Sequence, residues 1–215
     1  MNKGIGILSL LFLFAVSLPA QDNQNRIIII KKMAESRDMD QKASALRDIE
    51  ALIEENVPAE EGIIEILSYL AGEGVTILMT ERGKVINDFP EIRKDAVRLL
   101  GELAGPAVRA PLISVMRYDH DPYVLSRAAL ALSKAGLDEE DRVISVYYLV
   151  LMNKKPVYKS ERVVRAVVQG IDHIAQTDDS ILNNPKIVEG LVFTAKPELG
   201  YSRETRDLAE ELLHR

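Results

Sequence analysis

The 215-residue chain has no cysteine and no tryptophan, and only 5% of its residues are aromatic. Without cysteine there can be no disulfide, no thiolate nucleophile, no thiolate metal site and no acylated lipoprotein terminus. Such a chain is held together by its core alone, and that core must be mainly Leu, Ile, Val and Ala. Imidazole is scarce as well. The three histidines, His120, His173 and His214, are too widely spaced for any two to pair on one helical turn. No Gly-rich phosphate loop, nucleophile elbow or His-Glu-x-x-His motif occurs. A basic stripe is also missing: 27 Lys and Arg face 33 Asp and Glu, a formal charge of −6. This argues against nucleic-acid backbone binding and against an anionic membrane surface. The expectation is a protein with no catalytic residues, no metal and no cofactor.

The amino terminus carries the longest apolar run. Lys3 precedes Ile5 to Leu18, broken only by Gly6, Ser9 and Ser17, and Pro19-Ala20 leads into Gln21-Asp22-Asn23-Gln24-Asn25. A basic start, an apolar core and a small-residue exit are the parts of a secretory signal peptide. The run is short for a membrane span, which needs about 20 apolar residues. Residues 1–20 are therefore read as a signal peptide and 21–215 as one exported domain, periplasmic or extracellular and not inserted in the membrane after cleavage. Cleavage after Ala20 fits the abrupt polar turn, and cleavage after Ser17 is the alternative, with Ala15 three positions back. Removal takes away only Lys3 among charged residues, moving the formal charge from −6 to −7.

Internal repetition carries the fold. Phe89-Pro90-Glu91-Ile92-Arg93 runs through Ala96 and Leu100 to Gly105, and Asp121-Pro122-Tyr123-Val124 runs through Ala128 and Leu132 to Gly136. Pro90 falls on Pro122, Ile92 on Val124, Ala96 on Ala128 and Leu100 on Leu132. Each unit is a proline-started helix with apolar residues at helical spacing and a glycine exit. Between them Val108, Pro111, Leu112, Val115 and Met116 mark a second helix. Val164-Arg165 continues the rhythm 40 residues beyond Val124, and Thr205-Arg206 follows 41 further on. A step near 40 residues suits two helices per repeat. First helices are expected near 39–55, 90–104, 122–135, 160–176 and 201–214. Partner helices are expected near 59–72, 107–118, 138–152 and 184–195, with a leading helix near 24–36. The fold class is an all-α solenoid of about four to five stacked helix pairs, its carboxy-terminal end kept polar by Arg203, Glu204, Asp207, Glu210 and Glu211.

The stretch from Ile92 through Gly136 resembles the HEAT-like repeats of phycobilisome-lyase-type proteins. These have an Asp-Pro-x-Val-Arg start, paired alanines, a Leu-x-x-Gly exit and an Ala-Val-x-x-Leu-Ile second helix. Asp121-Pro122-Tyr123-Val124 and Arg93 match, while Leu125 stands where arginine is usual. The resemblance implies that second helices line a concave surface. It also implies bilin attachment or detachment as an enzymatic alternative, against which the missing cysteine and the lack of a catalytic cluster weigh.

From Gln41 to Ile92 the step is 51 residues, about eleven too long. The excess, about 73–89, is read either as a partner-contacting insertion or as an extra helical turn packed on the core. Asp119-His120-Asp121 is the best metal-like cluster, but Asp121 is better placed as the N-cap of the next helix. The segment 143–152 is apolar almost all round, which fits an enclosed helix or a docking patch. The candidate partner-binding residues are Arg109, Arg117, Tyr118, Tyr147, Tyr148 and Tyr158, with Tyr123 in a neighbouring turn. They point to a non-catalytic scaffold for an unidentified protein partner in the cell envelope. A structural subunit of an envelope complex, buried through Ile27 to Ile30 and 143–152, is the alternative.

Overall fold

Helix starts in this chain are written by prolines and short polar caps, and the architecture follows from them. A computed structural model describes residues 18–56, 61–152 and 155–215. The signal-peptide reading falls outside the described residues as far as residue 17. The described elements are α1 (Leu18–Ala34), α2 (Met39–Glu54), α3 (Glu61–Gly72), β1 (Thr80–Glu81), β2 (Lys84–Val85), α4 (Pro90–Leu103), α5 (Arg109–Tyr118), α6 (Pro122–Ala135), α7 (Arg142–Met152), α8 (Glu161–Ala175), α9 (Pro185–Thr194) and α10 (Arg203–Leu213).

Pro90, Pro122 and Pro185 each occupy the first helical turn, where a missing N–H costs nothing. Asp121 caps α6 as expected: its Oδ1 accepts from the backbone N–H of Tyr123 at 2.7 Å and of Val124 at 3.1 Å. Asp38, Asn184 and Ser202 cap α2, α9 and α10 in the same way. Gly136 closes α6 with φ 71°. At the end of α4 the chain turns one residue earlier than the glycine signal indicates, at Ala104 with φ 51°.

Two layers result. The first helices α2, α4, α6, α8 and α10 pack side by side, and α1, α3, α5, α7 and α9 form a second layer against them. The chain is thus an all-α solenoid of helix pairs. No helix can bury its stripe alone, so the core runs unbroken from Ile30 through Leu99, Leu132 and Val167 to Leu212. Helix α7 is flanked by α5 and α9 and backed by α8. That enclosure explains its apolar circumference: Val143, Ile144, Val146, Tyr147, Val150 and Leu151 are all buried.

The 73–89 insertion is not an extra helical turn. It forms an antiparallel hairpin pairing Thr80 with Val85 and Glu81 with Lys84. Its two-residue loop, Arg82-Gly83, has φ 50° and 78°, the double positive φ of a type I′ turn. At its base, Gly74 has φ 73°, and a Cβ there would lie 2.5 Å from Asp88 Cα and 2.7 Å from the Asn87 carbonyl oxygen. Both obstacles are backbone and cannot rotate away. Gly74→Ala is expected to cost about 2–3 kcal/mol in urea denaturation. A cost below about 0.5 kcal/mol would mean that the hairpin base is not held in this conformation.

Candidate partner-docking edge

The turns that lead from a second helix into the next first helix share one edge of the solenoid, and the hairpin stands on it. Its anchorage is polar and buried. Glu73, just beyond α3, is wholly buried and sets Oε1 2.7 Å from Nζ of Lys42, which is equally buried. Lys42 also donates to the Ala34 carbonyl at 2.7 Å, closing the end of α1. The Asn87 side chain donates to the Ile77 carbonyl at 2.8 Å and accepts from the Met79 N–H at 2.9 Å. Its amide therefore bridges the stem of the hairpin.

Arg93 of α4 is the hub. Nη1 donates to the Glu73 carbonyl at 3.2 Å and to Asp88 at 2.5 Å, while Nε and Nη2 grip Asp119 at 2.8 and 3.3 Å. Burial by itself would lower the pKa of this guanidinium, but the hydrogen bonds it donates to Asp119 and Asp88 and the charges of those carboxylates outweigh it and hold the pKa above its ordinary value. Asp119 Oδ1 also accepts from the backbone N–H groups of His120 and Asp121, at 2.7 and 2.8 Å. The 119–121 turn and the hairpin are thus locked to one side chain. His120 reaches Asp88 at 3.5 Å. With Asp119 committed to Arg93 and Asp121 to its cap, this acid–imidazole run does not converge on a metal. Among the described residues no group of three or more His, Asp or Glu is placed to hold one.

This rigid stem presents apolar groups to solvent. Leu78, Val85 and Ile86 are exposed on the hairpin, and Tyr118 and Tyr123 are exposed at 61% and 55% beside the 119–121 turn. At the foot of the hairpin, Ser68, Gly72, Thr76, Pro111 and Ser114 line a recess of about 140 Å³, large enough for one side chain of a partner.

The six residues expected to face a partner separate. Arg117 and Tyr118 are exposed at the end of α5, next to the 119–121 turn. Tyr148 is half-buried in the second layer and donates its hydroxyl to Glu189 at 2.8 Å, tying α7 to α9. Arg109 is half-buried and donates Nε to the Ala135 carbonyl at 2.9 Å, closing the end of α6. Tyr147 and Tyr158 correct the expectation: they are core, at 0% and 1% exposure. Each found a carbonyl for its hydroxyl inside the protein, Ala129 for Tyr147, and Met116 and Arg117 for Tyr158.

Sequence reasoning did not single out Lys42, Glu73 and Asn87. A signal for one of them was present: Lys42 lies on the same stripe as Ala45, Leu46, Ile49 and Leu52, and a cation on an apolar stripe implies a buried anion nearby.

The architecture defines a two-layer helical-repeat protein. Residues 83–150 match the family model described as HEAT repeats, a span from the hairpin turn into α7 that covers less than half of the chain. It takes in the 92–136 stretch on which the resemblance rested. No curated protein matches the chain.

Proposed function

We propose that this protein is a non-catalytic scaffold that acts outside the cytoplasm and docks a partner protein on the edge built by the hairpin and the 119–121 turn. The observation that carries the reading is the contrast at the hairpin. Five buried polar side chains, Lys42, Glu73, Asn87, Arg93 and Asp119, are committed to holding a segment whose outer residues are apolar and exposed. Ordering a loop before binding lowers the entropic cost of docking. HEAT repeats generally mediate protein–protein interaction, which supports the class of function. Export is supported by the composition of residues 1–20. None of the helices among the described residues is long and apolar enough to cross a membrane. Arg117, Tyr118 and Tyr148 belong to the second-helix layer, which the HEAT resemblance makes the concave side, and extend the surface from the hairpin.

A photo-crosslinking residue at Leu78, introduced into the full-length protein in its native envelope, tests this. Capture of one or two specific envelope proteins is expected, with loss of capture in the Leu78→Ser, Ile86→Ser double variant at unchanged helicity. Crosslinks indistinguishable from those of an uninduced control would refute docking at this edge.

The alternative of a structural subunit draws on Ile28 and Ile29, exposed at 54% and 58% on α1. Light scattering separates the two readings: a concentration-independent monomer removes self-assembly through α1.

A further inference from the structure

The first-helix layer carries a second surface, between α6 and α8, which meets the 119–121 turn at Tyr123. Between α6 and α8 lies a groove of about 590 Å³ lined by Ser126, Arg127, Leu130, Ser160, Arg162 and Gln169, with Glu161, Arg165 and Ala166 on its α8 side. Three guanidinium groups meet there in a chain whose formal charge is −6. They are not equivalent. Arg165 is compensated, with Nη2 3.5 Å from Glu161 and 3.1 Å from Glu204 and further bonds to Ser202 and Thr205. Glu161 is itself turned toward α10, accepting from the Ser202 backbone and from the hydroxyls of Ser202 and Thr205. Arg162 has no carboxylate partner among the described residues. Its guanidinium stacks on the Tyr123 ring, 4.1 Å from the centroid, which holds the fork in place and leaves its N–H edge free. Arg127 is exposed, and no hydrogen bond or ion pair engages it among the described residues. The Ser160 hydroxyl makes no cap bond, although it stands at the N-cap of α8.

We infer that this groove binds an acidic peptide segment, with carboxylates received by Arg127 and Arg162. Planar guanidinium forks take carboxylates in two parallel hydrogen bonds. Gln169 and Ser160 offer both donors and acceptors suited to a peptide backbone. Leu130, half-buried in the groove, gives apolar contact to a side chain between the acids. This mixed lining fits a polypeptide better than a polyphosphate, for which a continuous row of cations would be needed.

The test uses the full chain and a fluorescein-labelled hexaglutamate peptide, read by fluorescence anisotropy at low and at physiological salt. Binding is expected to weaken about tenfold or more in the Arg127→Glu, Arg162→Glu double variant. Lys134→Glu, an exposed charge reversal farther along α6, is expected to change it by less than about twofold. Single Arg127→Ala and Arg162→Ala variants, each at an exposed position, guard against a folding artefact and are each expected to weaken binding. The inference is overturned if hexaglutamate does not bind, or if Lys134→Glu weakens binding as much as the double variant, which would make the attraction a bulk charge effect. Tighter binding of inorganic phosphate or of a short oligothymidylate than of the peptide would also overturn it. The hairpin itself is probed separately, by crosslinking from Leu78, so failure of peptide binding and failure of hairpin docking are read independently.

Discussion

Arg93→Met is expected to destabilise the protein by about 3–5 kcal/mol in urea denaturation, and to loosen the hairpin even where the solenoid stays folded. The size follows from what is left behind, not from any intrinsic strength of the ion pair. Methionine fills much of the volume, but the Asp119 carboxylate remains, 1% exposed, and among the described residues its ion pair is with Arg93. A buried charge stripped of its partner is far costlier than a broken surface pair. The exposed pair Arg203–Asp207, with side chains 87% and 59% accessible, is worth at most about 1 kcal/mol by the same comparison. Arg93 also holds the Glu73 carbonyl and Asp88, so its loss frees both ends of the insertion. Amide exchange at Met79, whose N–H is bound by Asn87, and at Ile86, whose N–H is bound by the Met79 carbonyl, should speed up together. Adding Asp119→Asn should restore part of the stability, since the amide oxygen still accepts from His120 and Asp121 while the unpaired charge is gone. A loss below about 1 kcal/mol for Arg93→Met would show that water or relaxation satisfies Asp119 and that the network does not position the hairpin.

How far the molecule was legible in its sequence depended on the kind of signal each segment carries. The first helices were readable because Pro90, Pro122 and the stripe Ala96–Leu100 or Ala128–Leu132 mark both start and phase. The hairpin was not readable, for a specific reason. A type I′ loop announces itself through Asn-Gly or Asp-Gly, whereas here Arg82 takes the first left-handed position at φ 50°. Strands of two residues are also too short for alternation to show. The edge was half legible: Tyr118 stands out as an exposed aromatic, but the buried network joins Lys42 of α2 to Glu73, and Glu73 and Asp119 to Arg93 of α4, across long sequence separations that no local pattern encodes. In α7 the difficulty was one of phase. When a helix is apolar on nearly every side, neighbouring tyrosines cannot be assigned to core or surface from periodicity.

That ambiguity yields the sharpest contrast between two adjacent positions. Tyr147→Ala is expected to cost about 3–5 kcal/mol and Tyr148→Ala less than about 1 kcal/mol. The Tyr147 ring lies wholly inside, against Gly170 of α8, where a Cβ would come within 2.7 Å of its hydroxyl oxygen. Truncation leaves a cavity between α6, α7 and α8 and strands the Ala129 carbonyl that its hydroxyl serves at 2.8 Å. Burial pushes the pKa of this hydroxyl far above the usual tyrosine value, so it remains a protonated donor at any pH at which the protein is studied. Tyr147→Phe, which keeps the ring and removes only the hydrogen bond, should fall between the two at about 1–2 kcal/mol. Tyr148 loses only a half-exposed ring and its bond to Glu189. Urea denaturation of the three single variants separates packing from hydrogen bonding at one site. Equal losses for Tyr147→Ala and Tyr148→Ala would mean that α7 is rotated about its axis from the orientation described. Tyr147 would then return to the partner-facing surface, and the docking edge would have to be redrawn along the second-helix layer.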